Sequence, residues 1–153
     1  MLEKFYYKSP IGSFEIEIQN DTILGLRITE NTSEFSKNTG YFAKVSNQLD
    51  EYFAGSRKHF DLTIQPKGTE FQTKVWNELK KIPYGTTKSY QEIANTIGNP
   101  NAQRAVGSAC NKNPILLIVP CHRVISKSGN LAGFAYGLNA KKTLLQLEKT
   151  ILQ

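Results

Sequence analysis

The stretch GSFEIEIQN (residues 12–20) sets Ile16 and Ile18 against Glu15 and Glu17. A period of two puts apolar side chains on one face of an extended strand and carboxylates on the other. FYYKS (5–9) and ILGLRIT (23–29) continue the pattern on either side, with Pro10-Ile11-Gly12 and Asn20-Asp21 as turns. The first thirty residues are thereby committed to a small sheet. A helix is expected near 42–53 (FAKVSNQLDEYF), closed by Gly55, and FDLTI (60–64) is expected as a further strand. From residue 69 onward the helical period dominates. Strands segregated from helices indicate an α+β architecture.

Pro66-Lys67-Gly68 is the best boundary, because the charge balance changes there. Residues 1–65 carry seven Lys/Arg against nine Asp/Glu, a net −2, and residues 66–153 carry twelve against four, a net +8. The expected organisation is a sheet lobe over 1–65 and a larger domain over 66–153. A basic half suits a polyanion partner, although an ordinary solubilising surface has the same composition. No stretch approaches the roughly 20 apolar residues of a membrane span, and the N-terminus lacks the features of a secretory signal. The two cysteines, Cys110 and Cys121, are therefore expected to be reduced, in a cytoplasmic setting. With two histidines and no C-x-x-C, a structural zinc site is not expected.

Thr69 is a plausible cap for a first helix with Phe71, Val75, Leu79 and Ile82 on one face, ended by Pro83 and Gly85. SYQEIANTI (89–97) follows, with Ser89 and Glu92 at capping-box spacing and Gly98 as the stop. After Asn99-Pro100 a third helix is expected over about 101–111. Two short helices joined by a glycine-containing turn form a helix-turn-helix pattern, in which the third helix is the reader. That helix is narrow: Ala102, Ala105, Gly107, Ser108 and Ala109 are small, and Arg104 stands out among them. Close packing on a neighbour explains small residues equally well. An arginine on such a face is suited to entering a groove or filling a gap in a base stack.

ILLIV (115–119) reads as a buried strand, with a second short strand around VIS (124–126) and a turn at Lys127–Asn130. Asn139 is expected to cap a last helix with Leu144, Leu145 and Leu147 inward. Glu148, near its C-terminal end, is poorly placed for the helix dipole and so is expected to have another partner. Between the apolar run and VIS stands PCHRV (120–124). Pro120 removes a donor and restricts Val119, so the chain turns at Cys121. A thiol becomes a nucleophile only beside a base or a cation. His122 is adjacent, Arg123 adds charge, and Glu148 could orient the imidazole. A buried cysteine is also commonly inert packing, and spacing alone leaves both readings open.

RAVGSACNKNPILLIVPCHRVISKSGNLAGFAYGLNAKKTLLQLE (104–148), preceded by FQTKVWNELKKIPYGTTKSYQEIA (71–94), resembles the O6-alkylguanine-DNA alkyltransferases over about residues 69–148. The resemblance implies a ribonuclease H-like N-terminal sheet and a C-terminal helical lobe with a helix-turn-helix or winged-helix element. It implies a single-turnover repair reaction on double-stranded DNA containing O6-alkylguanine, by a monomer with no cofactor and no metal. Cys121 would accept the alkyl group, His122 would take its proton through a bridging water, and Glu148 would polarise His122. Asn113 would be the hinge between the reader helix and the active-site turn. The reader helix would enter the minor groove on Ala102, Ala105, Gly107 and Ser108, with Arg104 filling the stack vacated by the flipped base and Tyr90 pushing on the phosphate. Arg123 is also expected on DNA. Val124, Phe134, Ala135 and Tyr136 would line the pocket.

Two departures bear on the pocket. Phe134 replaces a tyrosine common in the family, removing a hydroxyl that could donate to the leaving guanine. Tyr136 stands where some members have glycine, so methyl and small alkyl groups should be accepted and benzyl-sized groups poorly. The zinc cluster of some relatives has only His59 as a candidate ligand here. Three rival readings are a lesion sensor without transfer, a Cys–His–Glu hydrolase, and a plain winged-helix DNA binder. The presence of Cys121, the lack of an oxyanion-hole motif and the small side chains of the third helix argue against them in turn.

Overall fold

The computed structural model describes residues 1–30, 35–128 and 136–148. The chain forms two compact units, Met1–Pro66 and Lys67–Gln153.

In the first unit β1 (Glu3–Ser9), β2 (Gly12–Gln19) and β3 (Thr22–Thr29) form an antiparallel sheet in that order. Asn20 and Asp21 both adopt positive φ, 53° and 54°. Two successive left-handed residues give a hairpin turn whose twist matches the strands, and Asn and Asp tolerate that region best after glycine. Phe14, Ile16 and Ile18 of β2 are buried, as the alternation requires. On β3 the inward residues are Ile23 and Leu26, three apart. A register shift makes this possible: Ile18 pairs with Ile23 and Glu17 with Gly25, so Leu24 is an extra residue. On the other face Arg27 donates to Glu15 and Glu17 at 2.8 and 2.9 Å.

Helix α1 (Gly40–Phe53) covers the apolar face with Phe42, Val45, Leu49 and Tyr52. Phe5 stacks on Phe42 with centroids 4.7 Å apart. FDLTI forms no strand. Among the described residues its only ladder contact is a bridge from Ile64 to Ile23, with the Ile23 and Gln65 amides donating to Thr63 and Ile23 carbonyls. Gln48 of α1 satisfies the backbone of Asp61 with both ends of its amide, which removes the need for a longer ladder.

The second unit begins with α2 (Glu70–Leu79), α3 (Tyr90–Thr96) and α4 (Gln103–Asn111). Thr69 with Gln72 and Ser89 with Glu92 are both closed capping boxes. Gly98, at φ 81°, stops the second helix where only glycine sits without strain. Val75, Trp76 and Leu79 are buried, and the Trp76 indole donates to the Ala109 carbonyl of α4 at 2.9 Å. The two-residue strands β4 (Lys88–Ser89) and β5 (Val124–Ile125) pair in parallel. The last helix, α5, spans Leu138–Leu147 with Gly137 at its N-cap, not Asn139. Leu144 and Leu145 are fully buried, Leu147 only partly. The expected turn at 127–130 and the segment 131–137 lie largely outside the described residues, as do Phe134 and Ala135.

Candidate active site

The apolar run 115–119 is buried except at half-buried Ile118, and it turns where a strand is expected. The Ile118 amide donates to the Leu116 carbonyl at 2.9 Å across Leu117, whose φ is 72°. That is a three-residue turn of the rare positive-φ kind. The Cys121 amide donates to the Val119 carbonyl at 2.8 Å across Pro120, at φ −83° and ψ 65°, an inverse γ-turn. Asn113 makes this folding possible. Its Oδ1 accepts from the Ile115 amide at 3.0 Å, and its Nδ2 donates to the Val119 carbonyl at 2.7 Å and to Cys121 Sγ at 3.3 Å. One buried side chain thus supplies partners that a neighbouring strand would otherwise give, and ties the end of α4 to the cysteine.

Cys121–Arg123 then form a single 3-10 turn, so neighbouring side chains are not forced to opposite faces as in a strand. His122 is fully buried, and its Nε2 lies 2.8 Å from Glu148 Oε2. Arg123 grips the same carboxylate with Nε on Oε1 at 2.9 Å and NH2 on Oε2 at 3.0 Å, while NH1 donates to the Ile82 carbonyl at 2.8 Å. The Tyr84 ring lies 5.7 Å from the guanidinium. Glu148, at the C-terminal end of α5, therefore has the partners its position in the sequence demanded.

These contacts fix the protonation states. Burial alone would raise Glu148, but the hydrogen bond from His122 and the hydrogen bonds and charge of Arg123 overcome it and hold the carboxyl at about 2. Burial pushes the His122 imidazole below its ordinary value, against the pull of Glu148, so the ring is neutral at pH 7. The permanent cation on Glu148 is then Arg123. A neutral ring facing an ionised carboxylate donates from Nε2, which leaves Nδ1 with the lone pair. Among the described residues no atom hydrogen-bonds the buried Nδ1. Burial raises the Cys121 thiol, while the Asn113 amide and the Lys141 ammonium pull it down. The site therefore holds a protonated thiol, an imidazole able to accept a proton, and a carboxylate fixed in its charged state.

The structure brings Asn113 to Cys121 and Glu148 to His122; no direct hydrogen bond joins Cys121 and His122 among the described residues. Arg104, Ala105 and Ser108 share the exposed face of α4. Ala102 is instead buried at the N-cap of that helix. Gly107 is half-buried, and a Cβ there would meet the Tyr90 ring at 3.8 Å. Arg123, expected on DNA, is 8% exposed with every guanidinium nitrogen engaged by protein, so it belongs to the interior of the site. Val124 is buried and its carbonyl accepts from Lys141. Tyr136 is half-buried.

Lys141 is the group that sequence reasoning missed. Residues 141, 144, 145 and 148 follow helical spacing, and all four are buried. A lysine in register with inward leucines was the available signal.

Two family models match the chain. One, described as 6-O-methylguanine DNA methyltransferase, ribonuclease-like domain, covers residues 2–66. The other, 6-O-methylguanine DNA methyltransferase, DNA binding domain, covers residues 70–150. The chain is 48% identical over 148 residues to a methylated-DNA–protein-cysteine methyltransferase of Methanosarcina acetivorans, covering 93% of this chain and 95% of the relative. It superposes on the crystal structure of the Mycobacterium tuberculosis O6-methylguanine methyltransferase with a TM-score of 0.88 at 45% identity, covering 97% of this chain and 93% of the other. The same mycobacterial protein solved in complex with DNA gives a TM-score of 0.86 at 46% identity, with 94% and 91% covered.

Proposed function

Since the chain belongs to the 6-O-methylguanine DNA methyltransferase family, we propose that it repairs DNA by moving the alkyl group of O6-alkylguanine onto its own Cys121. The observation that carries this reading is the buried His122–Glu148–Arg123 set joined to a cysteine held by Asn113. Such a set is of little use to a packing cysteine. It gives a neutral base whose accepting nitrogen is defined by the carboxylate behind it.

The Cys121 proton passes to His122 Nδ1, bridged by water, and the resulting imidazolium is stabilised by ionised Glu148. The sulfur pair forms a bond to the alkyl carbon. The carbon–oxygen bond breaks, its electron pair stays on O6, and guanine recovers a proton as it leaves. The product is a thioether, so each molecule reacts once. Arg123 does not touch substrate in this scheme; it keeps Glu148 charged. Asn113 holds Sγ and the loop that carries it.

The lesion lies within a duplex and must be extruded, at a cost of a few kcal/mol. Ala105 and Ser108 allow α4 a close approach to the minor groove, Arg104 fills the vacated stack, and Tyr90 acts at the adjacent phosphate. The protein acts as a monomer in the cytoplasm. No helix among the described residues is long and apolar enough to cross a membrane.

The test is a duplex carrying labelled O6-methylguanine. One equivalent of label should become covalently attached and the reaction should then stop. Cys121→Ser should abolish attachment. Repeated turnover would support a hydrolase instead, and binding without transfer a lesion sensor.

A further inference from the structure

Glu148 stands at the C-cap of α5, where the last carbonyls of a helix lack amide partners and the helix dipole presents its negative end. Both features work against a carboxylate that must stay charged and in place. His122 and Arg123 hold its side chain. The main chain beneath it is held from a third direction, by the segment 82–85 that follows α2.

The Tyr84 hydroxyl donates to the Leu147 carbonyl, the terminal carbonyl of α5, at 3.3 Å. The Tyr84 ring lies 5.7 Å from the Arg123 guanidinium, whose NH1 donates to the Ile82 carbonyl in the same segment. At Gly85, φ 80°, a Cβ would stand 3.4 Å from the Glu148 carbonyl oxygen, so the segment runs in contact with the main chain of residue 148. The phenol feels both charges: burial raises it, Glu148 raises it further, and Arg123 pulls it down. Tyr84 thus meets the carboxylate's helix and the carboxylate's cation at once, from a loop that belongs to neither α5 nor the cysteine turn. A ring that only filled space could be phenylalanine; the phenol adds a donor where α5 needs one.

We propose that Tyr84 is a positioning residue for the transfer: its hydroxyl caps α5 and its ring covers Arg123, which together hold the Glu148 carboxylate on His122 Nε2 and keep Nδ1 as the nitrogen that takes the Cys121 proton. This deepens the alkyl-transfer reading and rests on it, but its first readout needs no DNA. The chain has two histidines, His59 and His122, so nitrogen NMR of the imidazoles follows each ring separately. At about pH 8 His122 of the wild type should show one tautomer, protonated at Nε2. Tyr84→Leu removes the donor and the aromatic face. It should turn His122 into a mixture of tautomers and slow single-turnover transfer from an O6-methylguanine duplex about tenfold, with duplex affinity unchanged. Tyr84→Phe keeps the ring and should recover most of that rate. An unmoved tautomer in Tyr84→Leu would overturn the proposal and mark the residue as packing, however far the rate fell. A mixed tautomer with the wild-type rate would overturn it as well. A tautomer shift in a protein whose wild type takes no label from the lesion duplex would sink the repair reading and uphold the hold of Tyr84 on the His122–Glu148 pair. Should Tyr84→Leu not fold, Tyr84→Phe is compared with wild type by the exchange of the His122 Nε2 proton with water. Loss of the hydroxyl should quicken that exchange about threefold, and an unchanged rate overturns the proposal.

Discussion

Replacing Arg123 by alanine should damage the fold and leave the electrostatics of DNA binding unchanged. The side chain makes three bonds, at 2.9 and 3.0 Å to the two oxygens of Glu148 and at 2.8 Å to the Ile82 carbonyl. Removing one partner of a buried ion pair costs about 3–5 kcal/mol, because the remaining charge is stranded. The carboxyl itself gives a second measure. Its pKa is lowered from 4.5 to about 2, and at about 1.4 kcal/mol per pKa unit that is about 3 kcal/mol, part of it owed to His122. The Ile82 carbonyl loses a donor as well, worth about 1 kcal/mol or more. A total near 4 kcal/mol is a large share of the roughly 5–15 kcal/mol that holds a domain together. Urea unfolding at pH 7 measures the loss, and duplex binding against salt concentration tests the alternative. A phosphate contact contributes about 0.9 to the slope of log K on log salt. We expect a large drop in unfolding free energy and an unchanged slope. A loss below about 1 kcal/mol together with a slope reduced by about one would refute the buried placement of Arg123 and return it to the DNA surface.

Acid should weaken the second unit in two stages. His122 is held below 6.5 and Glu148 at about 2 against 4.5, so the unfolded chain binds more protons as pH falls, and stability declines below about 6.5 and further between about 4.5 and 2; a pH series of urea midpoints, compared with Glu148→Gln, checks this. Trp76→Phe removes the indole donor to the Ala109 carbonyl, which keeps the Lys112 amide at 3.2 Å, and should cost about 1 kcal/mol, measured by thermal unfolding. Gly98→Ala should cost about 1 kcal/mol, because φ 81° is strained for alanine although no atom lies within 4 Å of its Cβ position. Tyr136→Gly should raise the reaction rate with O6-benzylguanine by about tenfold or more while changing the methyl rate little; equal rates on both substrates before the change would show that Tyr136 does not limit the pocket.

The legible parts of this fold were those with local causes. Strand alternation, the Asn20-Asp21 turn and the Ser89–Glu92 capping box each depend on residues within a few positions. The errors share a different origin. ILLIV is apolar because it is buried, and hydrophobicity reports burial without specifying extension; its backbone bonds partly within the run and partly to Asn113, a side chain outside it that takes the Ile115 amide and the Val119 carbonyl. FDLTI failed in the same way, with Gln48 supplying Asp61. Arg123 looked like a DNA contact because its partner stands 25 residues away. For Glu148 the reverse held: a carboxylate wrongly placed for the helix dipole advertised a missing partner without naming it. Lys141 was concealed because a lysine on a helix is ordinarily solvated, and only its register with Leu144 and Leu145 marked it as inward.

The chain has one tryptophan, and its indole is tethered to the carbonyl of Ala109 in the helix proposed to meet DNA. Indole emission responds to whether its N–H is bonded and to how dry its surroundings are. The molecule thus carries an intrinsic optical gauge of that helix. Stopped-flow fluorescence on unlabelled protein could time the settling of the helix onto a duplex separately from the chemistry at sulfur.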